Sequence, residues 1–207
     1  GPLLKRLKLS EGKIIKMKKG MRSIASLEDP LGKISTQREL DTGLVLKRVS
    51  VPIGVIGVIF ESRPDALVQI AGLCMKSGNS VLLKGGKEAL YSNRKLFSLM
   101  RQAATDTSQM YSGALHLVET REEIKELLKM DDLIDLMIPR GSNTLVRYIQ
   151  ENTKIPVLGH ADGVCHLYID KAADIEKAVS LTYDSKCQYP AVCNAIETLL
   201  VHKDSAD

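Results

Sequence analysis

The chain has 207 residues, 44% apolar and 26% charged, a balance that excludes collagen-like, disordered and disulfide-dense classes. Aromatic residues make up only 4% and tryptophan is absent, so the stacking groups that single-stranded nucleic acid requires are scarce. The net charge of +4 is uneven: the first 22 residues carry eight Lys/Arg against Glu11 alone, leaving the remainder net acidic.

Ser10 to Leu27 predicts an amphipathic helix. Ile14, Ile15, Met17, Met21 and Ile24 recur at helical spacing, which makes the lysines between them a solvated face in preference to a nucleic-acid arm. Asp29-Pro30-Leu31-Gly32 ends it in a turn. Leu44 to Val51 alternates as a strand, and Pro52 to Phe60 is a nearly unbroken apolar run rich in β-branched residues. A strand of that kind must be covered on both faces, which points to a parallel sheet between helices. Helices follow over Pro64–Lys76, Asn93–Ala104, Thr120–Lys129, Asn143–Glu151 and Asp174–Tyr183. They alternate with strands over Ser80–Lys84, Ala114–Val118, Leu133–Ile138, Val164–Ile169 and Ile196–Val201. Thr120 and Glu123 have capping-box spacing, and Pro64 suits a first helical turn. The fold class expected is α/β, an open and mostly parallel Rossmann-like sheet with right-handed crossovers.

No apolar run approaches the roughly 20 residues of a membrane-spanning helix, and Gly1 to Arg6 lead into no long apolar stretch, so neither a membrane span nor a secretory signal is expected. The four cysteines, Cys74, Cys165, Cys187 and Cys193, read as reduced intracellular thiols. His160, Cys165 and His166 match no zinc spacing, so no metal is expected.

In open α/β sheets ligands bind beyond the carboxyl ends of the strands, where helix N-termini offer free N–H groups. Three strand-end loops are candidates. Glu61-Ser62-Arg63-Pro64 packs an acid, a hydroxyl and a guanidinium behind a buried strand, as a site or as a surface ion pair. Lys84-Gly85-Gly86-Lys87-Glu88 is an anion cradle or a plain turn; it lacks the glycine spacing and the Ser/Thr of a Walker A loop. In Pro139-Arg140-Gly141-Ser142-Asn143, Ser142 caps a helix or its N–H groups hold a phosphate. The dinucleotide fingerprint Gly-x-Gly-x-x-Gly is missing, and Gly54 and Gly57 lie within an apolar run. Cys193, in a proline-containing loop before the last strand, is the candidate reactive thiol. Cys74 falls on an apolar helix face and reads as packing, while Cys187 stands near enough to Cys193 in sequence for a redox pair.

Five stretches together resemble the γ-glutamyl phosphate reductases (glutamate-5-semialdehyde dehydrogenases), a branch of the aldehyde dehydrogenase superfamily. They are VIGVIFESRPDA (55–66), SGNSVLLKGGKEA (77–89), IDLMIPRGSN (134–143), IPVLGHADGVCH (155–166) and residues 184–201. The same module forms the C-terminal half of bifunctional pyrroline-5-carboxylate synthases. The resemblance implies NADPH-dependent reduction of L-glutamyl 5-phosphate to glutamate 5-semialdehyde, with phosphate release, in proline biosynthesis. It implies Cys193 as nucleophile, with Asn194 and nearby backbone N–H groups as oxyanion donors. Lys84, Gly85, Gly86, Lys87, Gly141 and Ser142 would meet NADP or NADPH, and Glu61, Arg63, Arg140 and His160 the substrate. Two departures from the wider superfamily stand out. Val157 to Asp162 replaces the Glu-Leu-Gly-Gly segment whose glutamate activates water, and Glu61-Ser62-Arg63 replaces a tryptophan-asparagine pair.

The resemblance further implies a coenzyme-binding domain over 1–184, with a strand-forming arm near 31–51 for homo-oligomerisation, and the start of a catalytic domain over 185–207. Members of the branch are considerably longer, so the fold is expected to be truncated before most of the catalytic domain and to have little or no reductase activity by itself. Glutamate 5-kinase is the expected protein partner; nucleic acid and membrane are not. The expected location is cytoplasmic, or mitochondrial for a bifunctional animal parent. Two rival readings remain: another acyl-phosphate or aldehyde dehydrogenase, and a non-catalytic nucleotide-binding module.

Overall fold

The computed structural model describes residues 7–61, 63–159, 163–190 and 194–206. Cys193 and His160, both expected at the site, lie outside the described residues, as does Ser62. The chain forms two compact units, residues 1–159 and 160–207.

In the first unit, β3 (Val55–Phe60) is buried along all but its first residue. On one side it pairs with β4 (Ser80–Lys84), which pairs in turn with β5 (Leu115–Val118); on its other side lies β6 (Leu136–Arg140). The order is β5-β4-β3-β6, all parallel. Side chains alternate across a strand, so the apolar run divides between two cores. Ile56, Val58, Phe60, Val81, Leu83 and Leu115 face one way. They pack with Met17 of α1 (Glu11–Ser26), with Leu67, Ala71 and Cys74 of α2 (Pro64–Lys76), and with Leu96 and Phe97 of α3 (Leu90–Thr107). Ile59, Leu82, Val118 and Met137 face the other way, against Ile124 of α4 (Arg121–Leu127) and Leu145 and Ile149 of α5 (Asn143–Glu151).

This division follows from the crossovers. Stepping from β3 to β4 to β5 through right-handed connections puts α2 and α3 on one face, and the return to β6 puts α4 and α5 on the other. Connections leaving β3 and β6 therefore depart from opposite faces, which makes the gap between those two strands the switch point of the sheet. Gly57 breaks the β-branched run for a packing reason: a Cβ there would lie 2.2 Å from Sδ of Met137, which is 1% exposed.

Helix starts follow the capping residues. Ser10 accepts from the Lys13 N–H at α1, Pro64 opens α2, and Thr120 and Glu123 form the expected capping box at α4. β6 runs from 136 to 140 and not from 133. Ile134 is core; ahead of the strand, the Asp135 N–H donates to the Val55 carbonyl at 2.9 Å and the Asp135 carboxylate accepts the Val55 N–H at 2.7 Å, so a side-chain oxygen takes the place of a backbone carbonyl there.

The arm expected near 31–51 is an antiparallel hairpin of β1 (Ile34–Asp41) and β2 (Leu44–Val49), exposed along both strands. The second unit is β7 (Cys165–Ile169), α6 (Ile175–Cys187) and β8 (Ile196–Val201), the two strands pairing in parallel as a sheet of their own. Residues 184 and 185 both lie within α6, and α6 packs with β8. Among the described residues no helix is long and apolar enough to cross a membrane.

Cys74 is buried, as its helix face implied, and burial pushes its thiol up from the ordinary 9.0 to about 11. The sign follows from linkage: the unfolded chain loses this proton first, so the contribution is complete below pH 9 and is lost as pH rises through 11. Two pH units correspond to about 2.7 kcal/mol. Urea unfolding measured from pH 8 to 11 should show this alkaline loss, and Cys74→Ala should remove it.

Candidate functional site

Beyond the carboxyl ends of β3, β4 and β6, between α4 and α5, lies a cleft of about 730 Å³. Ile124 on α4 and Leu145, Tyr148 and Ile149 on α5 form its apolar walls, while Lys84, Lys87, Arg121 and Lys125 and the acids Glu61, Glu88 and Glu122 bring charged groups. An apolar slot with a few convergent polar groups is the usual form of a small-molecule site.

Lys84 is the last residue of β4 and alternates with Leu83, so it projects to the α4–α5 face. Its ammonium is half-buried and titrates below an ordinary lysine. Loss of hydration is the largest cause; Arg121 and Lys87 act in the same direction, while Glu88 and Glu61 oppose it. The two glycines that follow are buried and lead into a 3₁₀ turn, Lys87–Ala89. A Cβ on Gly85 would lie 2.0 Å from Nδ2 of Asn93 and 3.2 Å from the Phe60 ring. Asn93 is 2% exposed, and its Oδ1 has no hydrogen-bond partner among the described residues.

At the β3 end, the Glu61 N–H donates to the Arg140 carbonyl at 3.2 Å, and Glu61 Oε2 accepts from the Ser142 N–H at 3.1 Å. Gly141 permits this approach, since a Cβ there would stand 2.5 Å from Oε2. Ser142 Oγ accepts from the Leu145 N–H at 3.4 Å, so of its two readings the structure shows the cap. Its N–H donates to the Glu61 carboxylate. Glu61 thereby ties β3 to the first turn of α5, where an N–H group requires an acceptor.

The structure thus brings Lys84, Lys87, Glu61 and Ser142 into one cleft. Gly85, Gly86 and Gly141 shape its backbone. Arg140 ends β6 beside Glu61, exposed, and Arg63 stands exposed at the N-cap of α2. Asn194, in the second unit, is exposed just before β8. The described cysteines are all free: Cys74 buried, Cys165 half-buried and Cys187 exposed. No cluster of three metal-capable side chains occurs among the described residues.

Arg121, Lys125, Thr144 and Tyr148 were not singled out in the sequence, yet all four line the cleft. The signal for Arg121 was present: the capping box at Thr120 marks a fourth strand-end loop, after β5. Nothing in the sequence shows that α4 comes to rest opposite α5.

The sequence profile described as the aldehyde dehydrogenase family matches residues 5–207. A γ-glutamyl phosphate reductase of Trichodesmium erythraeum is 57% identical over 205 residues, which are 99% of this chain and 47% of that protein. The crystal structure of a γ-glutamyl phosphate reductase from Thermotoga maritima superimposes with a TM-score of 0.91 at 37% identity, over 98% of this chain and 49% of that one. One from Saccharomyces cerevisiae gives 0.71 at 44% identity, over 100% and 51%. The chain therefore spans about half the length of the relatives it matches.

Proposed function

Because the chain belongs to the aldehyde dehydrogenase family, we propose that it carries the coenzyme site and the nucleophile of a γ-glutamyl phosphate reductase. The reaction is NADPH-dependent reduction of L-glutamyl 5-phosphate to glutamate 5-semialdehyde, with release of phosphate, in proline biosynthesis. One observation carries the coenzyme part: the cleft sits beside the switch point of the sheet and combines apolar walls with the cations Lys84, Lys87, Arg121 and Lys125. The residues present fit a dinucleotide. Ile124, Leu145, Tyr148 and Ile149 suit an adenine ring, and Lys84 and Lys87 suit phosphate and ribose oxygens. The Gly85 turn, packed against Asn93 and Phe60, sets the backbone between Lys84 and Lys87.

Cys193 is the proposed nucleophile. Its thiolate attacks the acyl-phosphate carbonyl, the C–O bond to phosphate breaks, and a thioester and inorganic phosphate result. The coenzyme, when bound, supplies the hydride that takes the thioester to the aldehyde level, and the thiolate is regenerated. Asn194 and backbone N–H groups near Cys193 are the proposed oxyanion donors. Arg63, Arg140 and His160 are proposed to meet the substrate's carboxylate and phosphate. With Val157 to Asp162 in place of the water-activating glutamate segment, the thioester is spared hydrolysis. Residues 1–159 are proposed as the coenzyme-binding part and 160–207 as the start of the catalytic part, following the two compact units. The 31–51 hairpin is the proposed oligomerisation arm, glutamate 5-kinase the proposed partner and the cytoplasm the proposed location.

The test combines binding and labelling. NADPH should bind the chain saturably, read by its own fluorescence. With iodoacetamide at pH 7.5, Cys193 should be alkylated fastest and Cys74 last, and NADPH should change the Cys193 rate alone. A chain that neither binds NADPH nor distinguishes its thiols would not be of this kind.

A further inference from the structure

The cleft holds a cation that the proposed reaction does not use. α4 begins at the carboxyl end of β5 and lays Arg121 and, one turn later, Lys125 along the cleft wall. Acidic residues crowd this corner, yet two of them are turned away. Glu119 is held by Arg94 through two bonds of 2.6 Å, Nε to Oε1 and Nη2 to Oε2. Glu123 accepts from the Thr120 N–H and hydroxyl at 2.8 Å each and from the Glu119 N–H at 3.1 Å. Glu122 remains at the cleft edge. The Arg121 guanidinium is exposed and forms no hydrogen bond or ion pair among the described residues. The fold has thus tied up Glu119 and Glu123 and left Arg121 lining a cleft that it shares with Lys84 and Lys87 and with Glu61, Glu88 and Glu122.

We propose that Arg121 recognises a phosphate monoester on the adenosine ribose and so selects the phosphorylated dinucleotide over the unphosphorylated one. The inference rests on the coenzyme reading above and goes further than it, because that reading assigns no residue to the choice between the two. With adenine in the slot between α4 and α5, the adjoining ribose would be within reach of Arg121 on the first turn of α4 and of Lys84 and Lys87, which line the same cleft. A guanidinium fork matches two oxygens of a phosphate, which an ammonium cannot do. Toward a ribose with two free hydroxyls it gains little, since it then remains hydrated. Its removal should therefore affect one dinucleotide and spare the other.

The experiment is an equilibrium titration of the chain, Arg121→Gln and Arg121→Lys with NADPH and with NADH, followed by coenzyme fluorescence. Thermal unfolding of each variant checks the fold, and an exposed side chain with no partner should leave it unchanged. The unsubstituted chain should bind NADPH more tightly than NADH. Arg121→Gln should weaken NADPH about tenfold, as expected for one lost charge-assisted contact of about 1.4 kcal/mol, and leave NADH within about twofold. Arg121→Lys should recover part of the NADPH affinity. Unchanged NADPH binding in Arg121→Gln, or equal weakening of both dinucleotides, would overturn the assignment. Failure of the unsubstituted chain to bind either one would overturn the coenzyme reading, and this proposal with it.

Discussion

Leu83→Ala should lower the unfolding free energy by about 2–5 kcal/mol, the range for a leucine truncated in a well-packed core. Leu83 is 0% exposed, on a strand flanked by β3 and β5, and it faces Val58, Val81, Leu67 and Ala71 in one core. The neighbours cannot close the cavity, because a strand bonded on both sides has no freedom to move into it. The urea midpoint should fall while the slope stays constant, since the surface exposed on unfolding hardly changes. Leu99→Ala on α3 makes the control: that leucine is 54% exposed, and its loss should fall within about 0.5 kcal/mol. A Leu83→Ala loss below about 1 kcal/mol would mean that the sheet does not pack as described.

Gly85→Val should damage stability and coenzyme binding together. Even the first added carbon would lie 2.0 Å from Asn93 Nδ2, and Asn93 cannot swing aside because it is itself buried at 2% exposure. The Phe60 ring blocks a second direction at 3.2 Å. The loop must therefore shift. Overpacking of this kind costs about 1–3 kcal/mol, and the shift drags Lys84 and Lys87 from their places in the cleft. NADPH affinity is expected to drop at least about tenfold, or about 1.4 kcal/mol. Gly113→Val is the comparison, as a Cβ there meets nothing within 4 Å. If Gly85→Val bound NADPH like the unsubstituted chain, the β4 loop would have no part in the site.

The two variants probe different levels of organisation, and they differ in how far the sequence reveals them. That Leu83 belongs in a core is legible from Ser80 to Lys84 alone, a short apolar run between turns. The closeness of Asn93 to Gly85 is not: it depends on α3 folding back so that one of its turns lies under the loop that precedes it. The Glu61–Ser142 bond spans 81 residues and exists because β3 and β6 are neighbours, which the alternation of strands and helices does not reveal. The same alternation suggested one continuous sheet, whereas β7 and β8 form a two-stranded sheet of their own.

What the sequence determined by itself is local and chemical. The proline at 64, the capping residues Ser10, Thr120, Ser142 and Asp174, and the apolar runs define where elements start and which faces are buried, because those signals act over a few residues. Five motifs in order were enough to point to the family. Tertiary structure decided which strand ends meet, and hence that Arg121 and Tyr148 share a cleft with Lys84 and that Glu61 binds a backbone N–H. The reason is physical: contacts between distant segments are set by the order and handedness of the crossovers, and no short stretch of chain encodes these.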